Sequence, residues 1–210
     1  MIENDISSKF RLLLLLVITP FLVGSQCTVL FNSGGNDDDK DKDEDDIVVV
    51  AASGVFGSPP IEGADYASGT IRGVTGRNGE FKYEPGSPVQ FSVGDIALGE
   101  AVEGQSLVTL TDLAPDSAAD TSEAINMKRL IKSLDVDPTD DLITIPAQVR
   151  SLAVNSNGSL SASIEFLDFS DDTVFANTAS ALVAVLTQDY PFTAMLQDAD
   201  TAGEKTGKSP

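Results

Sequence analysis

Histidine and tryptophan are absent from the 210 residues, and cysteine occurs once. Without histidine the chain lacks the commonest general base, the Ser-His-Asp triad and the usual nitrogen ligand of zinc. A single cysteine excludes an internal disulfide. Basic residues are few: 13 Lys and Arg stand against 33 Asp and Glu, a formal net charge of −20. Such a field repels polyanions, so nucleic acid is not expected as a partner. Cations and basic surfaces are its natural counterparts. Long apolar runs are missing too. The run from Leu12 to Val23, broken by Pro20, is about a dozen residues, well short of the ~20 that a membrane-spanning helix needs. The chain contains no G-x-S-x-G elbow and no phosphate-binding glycine loop.

What is present is organised around residues 69–98. Phe81 and Tyr83 alternate with Glu80 and Lys82, and Val89, Phe91 and Val93 alternate with Gln90 and Ser92. Ile96 and Leu98 continue the pattern. A period of two with aromatic and β-branched residues on one face predicts a sheet buried on that face. Asn78-Gly79 suits a two-residue hairpin, Pro85-Gly86 a type II turn, and Gly94-Asp95 marks a third turn. Ile47 to Val50 reads as a buried first strand, and Ser106 to Leu113 as a last one.

The N-terminal part carries an address. Lys9 and Arg11 precede the apolar run, which has the size of a signal-peptide core, and small residues lead to Cys27. A lone cysteine in that place resembles the lipidation site of bacterial lipoproteins, which implies a lipid anchor on Cys27. Gly24 and Gln26 depart from the usual lipobox, and cleavage after Ser25 with Cys27 left as a free thiol is the alternative. Residues 37–46 hold eight acids and two lysines, net −6. Such a segment cannot bury apolar surface and its charges repel, which predicts an extended spacer.

Within the sheet region, Pro60, Gly63 and Ala64, followed by Thr75, Gly79 and Phe81, resemble the carboxypeptidase-regulatory or transthyretin-like β-sandwich modules of secreted bacterial proteins. The likeness covers about 50 residues. It implies a structural, non-catalytic module. Gly76 stands where that pattern has aspartate. The longer pattern through FSVGD also resembles the opening region of uncharacterised bacterial envelope proteins, some adhesin-like and some linked to a hydrolase.

Beyond the sheet the period changes. Thr121 and Ser122 can cap a helix with Glu123 in its first turn. Ile125, Met127, Leu130, Ile131 and Leu134 give one apolar face, and Lys128, Arg129 and Lys132 form a basic cluster. Asp135, Asp137, Asp140 and Asp141 follow. Their D-x-D opening resembles a calcium loop, but the sixth place lacks glycine and the twelfth is Pro146, which excludes an EF-hand. Hard-cation binding by these four carboxylates, or a plain polar helix-to-strand turn stopped by Pro138, with Ile143 and Ile145 re-entering the core, are the two readings. No other cofactor is expected. Residues 147–169 fit helix or strand equally. Ser170 predicts the cap of a second helix, with Val174, Phe175, Leu182, Val183 and Leu186 facing inward.

The expectation is therefore an α+β chain: an export signal over 1–27 with a lipobox-like end, an acidic linker over 28–46, a β-rich antiparallel sandwich-like module over 47–113, a helical region over 114–197 packing on it, and a polar tail over 198–210. The implied function is that of a non-catalytic cell-envelope lipoprotein with a binding or adhesion-type module, in the outer membrane or periplasm. Its expected partners are the membrane, through the anchor, and an envelope protein or surface polymer. The alternatives are an accessory subunit of an envelope complex and a hydrolase built on two carboxylates.

Overall fold

The computed structural model describes residues 50–115, 119–158 and 160–200, all of them in the compact unit Ile47–Pro210. The fold is α+β, with sheets in the N-terminal part followed by helices. Three sheets form. One is β5(Glu80–Tyr83)-β1(Ala52–Phe56)-β8(Leu107–Val108), and one is β4(Ile71–Val74)-β3(Asp65–Ser68)-β6(Pro88–Val93)-β7(Ile96–Glu103). The third is a short pair of β2(Ile61–Glu62) and β9(Ile143–Thr144). The helices are α1(Ser122–Ser133), α2(Ala147–Leu152), α3(Ser161–Glu165) and α4(Asp172–Leu186).

The alternation read from the sequence is the alternation of burial. Phe81, Val89, Phe91, Val93, Ile96 and Leu98 are all buried. Their rings join the two larger sheets. Phe56 of β1 stacks on Phe91 of β6 at 3.8 Å between centroids and 6° between planes, and Phe81 of β5 meets Phe91 edge-on at 5.1 Å. An edge-to-face pair such as Phe81 with Phe91 adds about 0.5–1.5 kcal/mol beyond the area it buries.

The turns differ from the hairpin reading. Asn78-Gly79 does not join paired strands, since β4 pairs with β3 and β5 with β1. The turn carries the chain from one sheet to the other, closed by Gly79 N–H donating to the Gly76 carbonyl at 2.8 Å. Gly79 adopts φ +73, and a Cβ there would lie 2.5 Å from the Phe56 carbonyl oxygen. Both the dihedral and the close approach require glycine. Glu80 supplies the carboxylate missing at Gly76: it accepts from Asn78 N–H at 3.0 Å and from the Asn78 amide at 2.9 Å. Those bonds hold its pKa below the usual carboxylate value. Pro85-Gly86 makes a second crossing, closed by Ser87 N–H to Glu84 C=O at 3.0 Å. Gly94-Asp95 is a true hairpin turn, with Val93 opposite Ile96.

Other expectations are corrected. Ile47 to Val49 lie outside the described residues, Val50 is 75% exposed, and the first described strand starts at Ala52. The final strand of the module shrinks to Leu107–Val108, which runs parallel to β1. Past it, Asp112 turns the chain by accepting from Thr109 N–H and hydroxyl, both at 2.7 Å. β9 lies in the segment read as helical and pairs in parallel with β2. Helix α1 begins as expected, its Thr121 hydroxyl accepting from Ala124 N–H at 3.2 Å. Ile125, however, is only half-buried, and Asn126 takes the buried place beside Met127. The cap of α4 is Asp171 rather than Ser170, and Val174 is 40% exposed, while Phe175, Leu182, Val183 and Leu186 are buried.

Candidate functional site

Cys27 and the acidic segment lie outside the described residues. The four aspartates lie in the loop that leaves α1 and returns to β9. Asp135 is 8% exposed, and its Oδ1 accepts from Asp137 N–H at 3.2 Å and Thr144 N–H at 3.0 Å. Asp137 Oδ1 accepts from Thr139 N–H at 3.2 Å and from its hydroxyl at 2.5 Å, and Asp140 Oδ1 accepts from Leu142 N–H at 2.8 Å. Each of these three carboxylates thus closes a local turn of its own. Among the described residues no three His, Cys, Asp or Glu side chains gather as a metal-binding group.

The environments of these aspartates differ. Burial pushes the pKa of Asp135 up, against the pull of the two N–H bonds. The Thr139 hydroxyl and N–H hold exposed Asp137 below the usual value. Tyr190 donates its hydroxyl to the Leu134 carbonyl at 2.6 Å, and burial, then the charge of Asp135, pushes its pKa up.

The basic cluster on α1 divides in two. Arg129 is structural. Its Nη1 donates to Asn126 Oδ1 at 2.8 Å, its Nε donates to the Gln197 carbonyl at 2.8 Å, and its guanidinium lies 5.1 Å from the Phe175 ring centroid. Asn126 Nδ2 completes the junction by donating to Phe169 C=O and Asp172 Oδ1, both at 2.9 Å. Lys128 and Lys132, one turn apart, line a cleft of about 450 Å³. Both are half-buried. Ser58, Thr111 and Asp141 share this cleft with them, and Ile61 and Ile143 give it an apolar side.

Two further residues position this region: Thr75 of the module motif, and Arg150, which was not singled out in the sequence. The buried Thr75 hydroxyl donates to the Ile61 carbonyl at 2.7 Å and accepts from Ala64 N–H at 2.9 Å. This ties together the two short motifs on which the module resemblance rests. Arg150 of α2 donates to the Gly63 carbonyl at 3.0 Å, and its Nε lies 3.5 Å from Asp65 Oδ1. At Gly63 the backbone has φ +86, and a Cβ would lie 2.0 Å from the Ile145 carbonyl oxygen. In the sequence, Lys128, Arg129 and Lys132 showed only as a basic cluster, with nothing to point toward the cleft.

No helix among the described residues is long and apolar enough to cross a membrane. No family model matches the chain, and no solved structure matches it. Two curated proteins of Escherichia coli are similar to it, each 28% identical over 92 residues, which is 44% of this chain. They are "Putative lipoprotein YghJ" of strain O78:H11 (H10407 / ETEC) and "Putative lipoprotein AcfD homolog" of strain K12. The match takes in 6% of the length of these relatives. The similarity relates the chain to bacterial proteins described as lipoproteins.

Proposed function

We propose that the chain is a non-catalytic lipoprotein of the bacterial cell envelope, tethered through Cys27 and carrying a transthyretin-like β-module that binds an envelope protein or surface polymer. The observation that carries the reading is the similarity, over 44% of the chain, to two proteins described as lipoproteins. The sole cysteine just past an apolar run of signal-peptide size supports it. So does the run 37–46, whose charge suits a spacer between a membrane surface and a folded unit. The absence of histidine from the sequence favours binding over catalysis. The bond of Thr75 across the two module motifs supports the transthyretin-like comparison.

The test is mass spectrometry of the mature N-terminus, joined to fractionation of wild type and Cys27→Ser. A diacylglyceryl thioether on Cys27, with the serine variant released from the membrane fraction, is expected. A mature N-terminus at Gln26 with an unmodified thiol would overturn the anchor.

A further inference from the structure

A second groove lies where β7, the first turn of α1 and the connection from α3 to α4 meet, and it holds about 400 Å³. The fold brings four carboxylates to it from separate places in the chain: Asp95 of the β6–β7 turn, Glu100 of β7, Glu123 of α1 and Asp168 beyond α3. No lysine or arginine lines it among the described residues, and none of the four acids is ion-paired there. The sequence around it keeps that sign. Residues 116–118, which follow Pro115 of the groove and lie outside the described residues, are Asp, Ser and Ala. Residues 151–200, which supply the α3–α4 side, contain no basic residue. Asp168 accepts from the Ser170 hydroxyl at 2.6 Å and from its N–H at 2.9 Å, and these bonds hold its pKa below the usual carboxylate value.

The rest of the lining is apolar, with Ile164, Leu167 and Phe169 half-buried and Met127 buried. Like charges that share an apolar groove repel one another more strongly than in bulk water, because the effective dielectric is lower there. The carboxylates do not converge on a point: among the described residues no three His, Cys, Asp or Glu side chains gather as a metal-binding group. Dispersed negative charge beside apolar surface suits a long side chain with an aliphatic stem and a cationic head, not a bare ion.

We infer that this groove docks a basic segment of a protein partner, with lysine or arginine stems along Leu167 and Phe169 and their charged heads at Glu100, Glu123 and Asp168. Charge complementarity selects this occupant. A nucleic acid, an anionic membrane surface or a second copy of a chain of net charge −20 would be repelled. The volume falls within the range of ligand-sized clefts, roughly 300–1,000 Å³. The inference rests on the reading of the folded part as a binding module and sharpens it, naming a basic protein rather than a surface polymer.

The experiment follows the anisotropy of a labelled Lys-Leu-Lys-Leu-Lys peptide titrated with the full chain at physiological ionic strength, where long-range attraction is screened. Saturable binding is expected, with none for Glu-Leu-Glu-Leu-Glu and weaker binding for Lys-Gly-Lys-Gly-Lys. Glu100→Gln with Glu123→Gln is expected to weaken binding about tenfold. Glu84→Gln with Glu103→Gln removes the same charge at the far end of the β6–β7 hairpin, where Glu103 faces Pro88, and is expected to leave binding unchanged. Should the groove variant lose its fold by circular dichroism, Glu100→Gln alone is expected to weaken binding about threefold. The inference is overturned if the basic peptide does not saturate, if the folded groove variants bind as wild type does, or if the control pair weakens binding as much. That result leaves the lipoprotein reading standing, because lipidation is read on Cys27 by mass and fractionation.

Discussion

The sheet region and the helical region are held together by different means. In the sheets, every described glycine with positive φ lies between Gly57 and Gly99; Gly79 and Gly86 sit where the chain crosses from one sheet to the other, and Gly69 and Gly94 where it turns within one sheet. The centre there is aromatic, built on Phe56, Phe81 and Phe91. In the helices the backbone is regular and the packing is largely aliphatic, around Leu130, Ile131, Leu182 and Val183. What joins helix to helix is polar: Asn126 and Arg129 reach from α1 to the start of α4 and to Gln197. Strand geometry thus rests on local chain conformation, and helix placement on contacts made far along the chain.

The largest expected effect tests the aromatic side of that contrast. Phe91 is fully buried and touches rings from the opposing sheet on two sides. Phe91→Ala is expected to cost about 3–5 kcal/mol in urea unfolding, as other large-to-small aromatic changes do. Both regions contribute to one hydrophobic core. Tyrosine fluorescence and far-ultraviolet dichroism are therefore expected to shift together. A loss below about 1 kcal/mol would show that the two sheets do not depend on this stack.

Next comes a matched pair, one substitution in each region. Thr75→Val keeps the shape but removes the acceptor for Ala64 N–H and the donor to Ile61 C=O. Asn126→Leu removes the donor to Phe169 C=O and Asp172 and the acceptor for Arg129. A buried partner left unsatisfied costs about 1–3 kcal/mol, so both variants are expected to lose roughly that amount in thermal or chemical unfolding. Only the helical variant is expected to loosen the segment after α4, read as faster amide exchange near Gln197. Equal loosening in both variants would erase the distinction between the regions.

These residues also show where sequence reading succeeds. The period of two from Phe81 to Leu98 announced the buried face, because alternation is a local property of a strand. The cap of α1 was legible for the same reason. The sheet crossings at Asn78-Gly79 and Pro85-Gly86 were not, since a turn signal marks where a chain bends and not which strands then pair. The pairing of β9 was not legible either. The strand has two residues, and its partner β2 lies more than eighty positions earlier. In the candidate site, the basic cluster of Lys128, Arg129 and Lys132 was visible, but the cleft was not. Its other side comes from Ser58, Ile61 and Thr111, which only the fold brings near. Likewise the four aspartates read as a cluster because they are close in sequence. In the fold, three of them turn back onto neighbouring N–H groups.

The smallest expected effect concerns that loop. Burial raises the folded-state pKa of Asp135, so in the folded state the group holds its proton to higher pH than in the unfolded chain. The sign follows from proton counting. Between the unfolded value of about 4 and the raised folded value, the folded state binds more protons, so stability falls as pH rises. Asp137, held below the usual value, acts in the opposite sense and loses its contribution as pH falls through its own lower folded pKa. Asp135→Asn keeps a side-chain oxygen that can accept from Asp137 and Thr144 N–H, but cannot ionise. Wild type is therefore expected to lose stability relative to the variant as pH rises above about 4, with the gap levelling once Asp135 is fully ionised. Parallel curves would show that burial does not perturb the group. The same samples also address calcium. Because these carboxylates are already turned onto their own loop, millimolar calcium against chelator is expected to leave the melting midpoint of wild type unchanged. A calcium-dependent rise, lost on changing Asp135 and Asp137 to Asn, would instead mean that the loop rearranges to gather its oxygens around a hard cation.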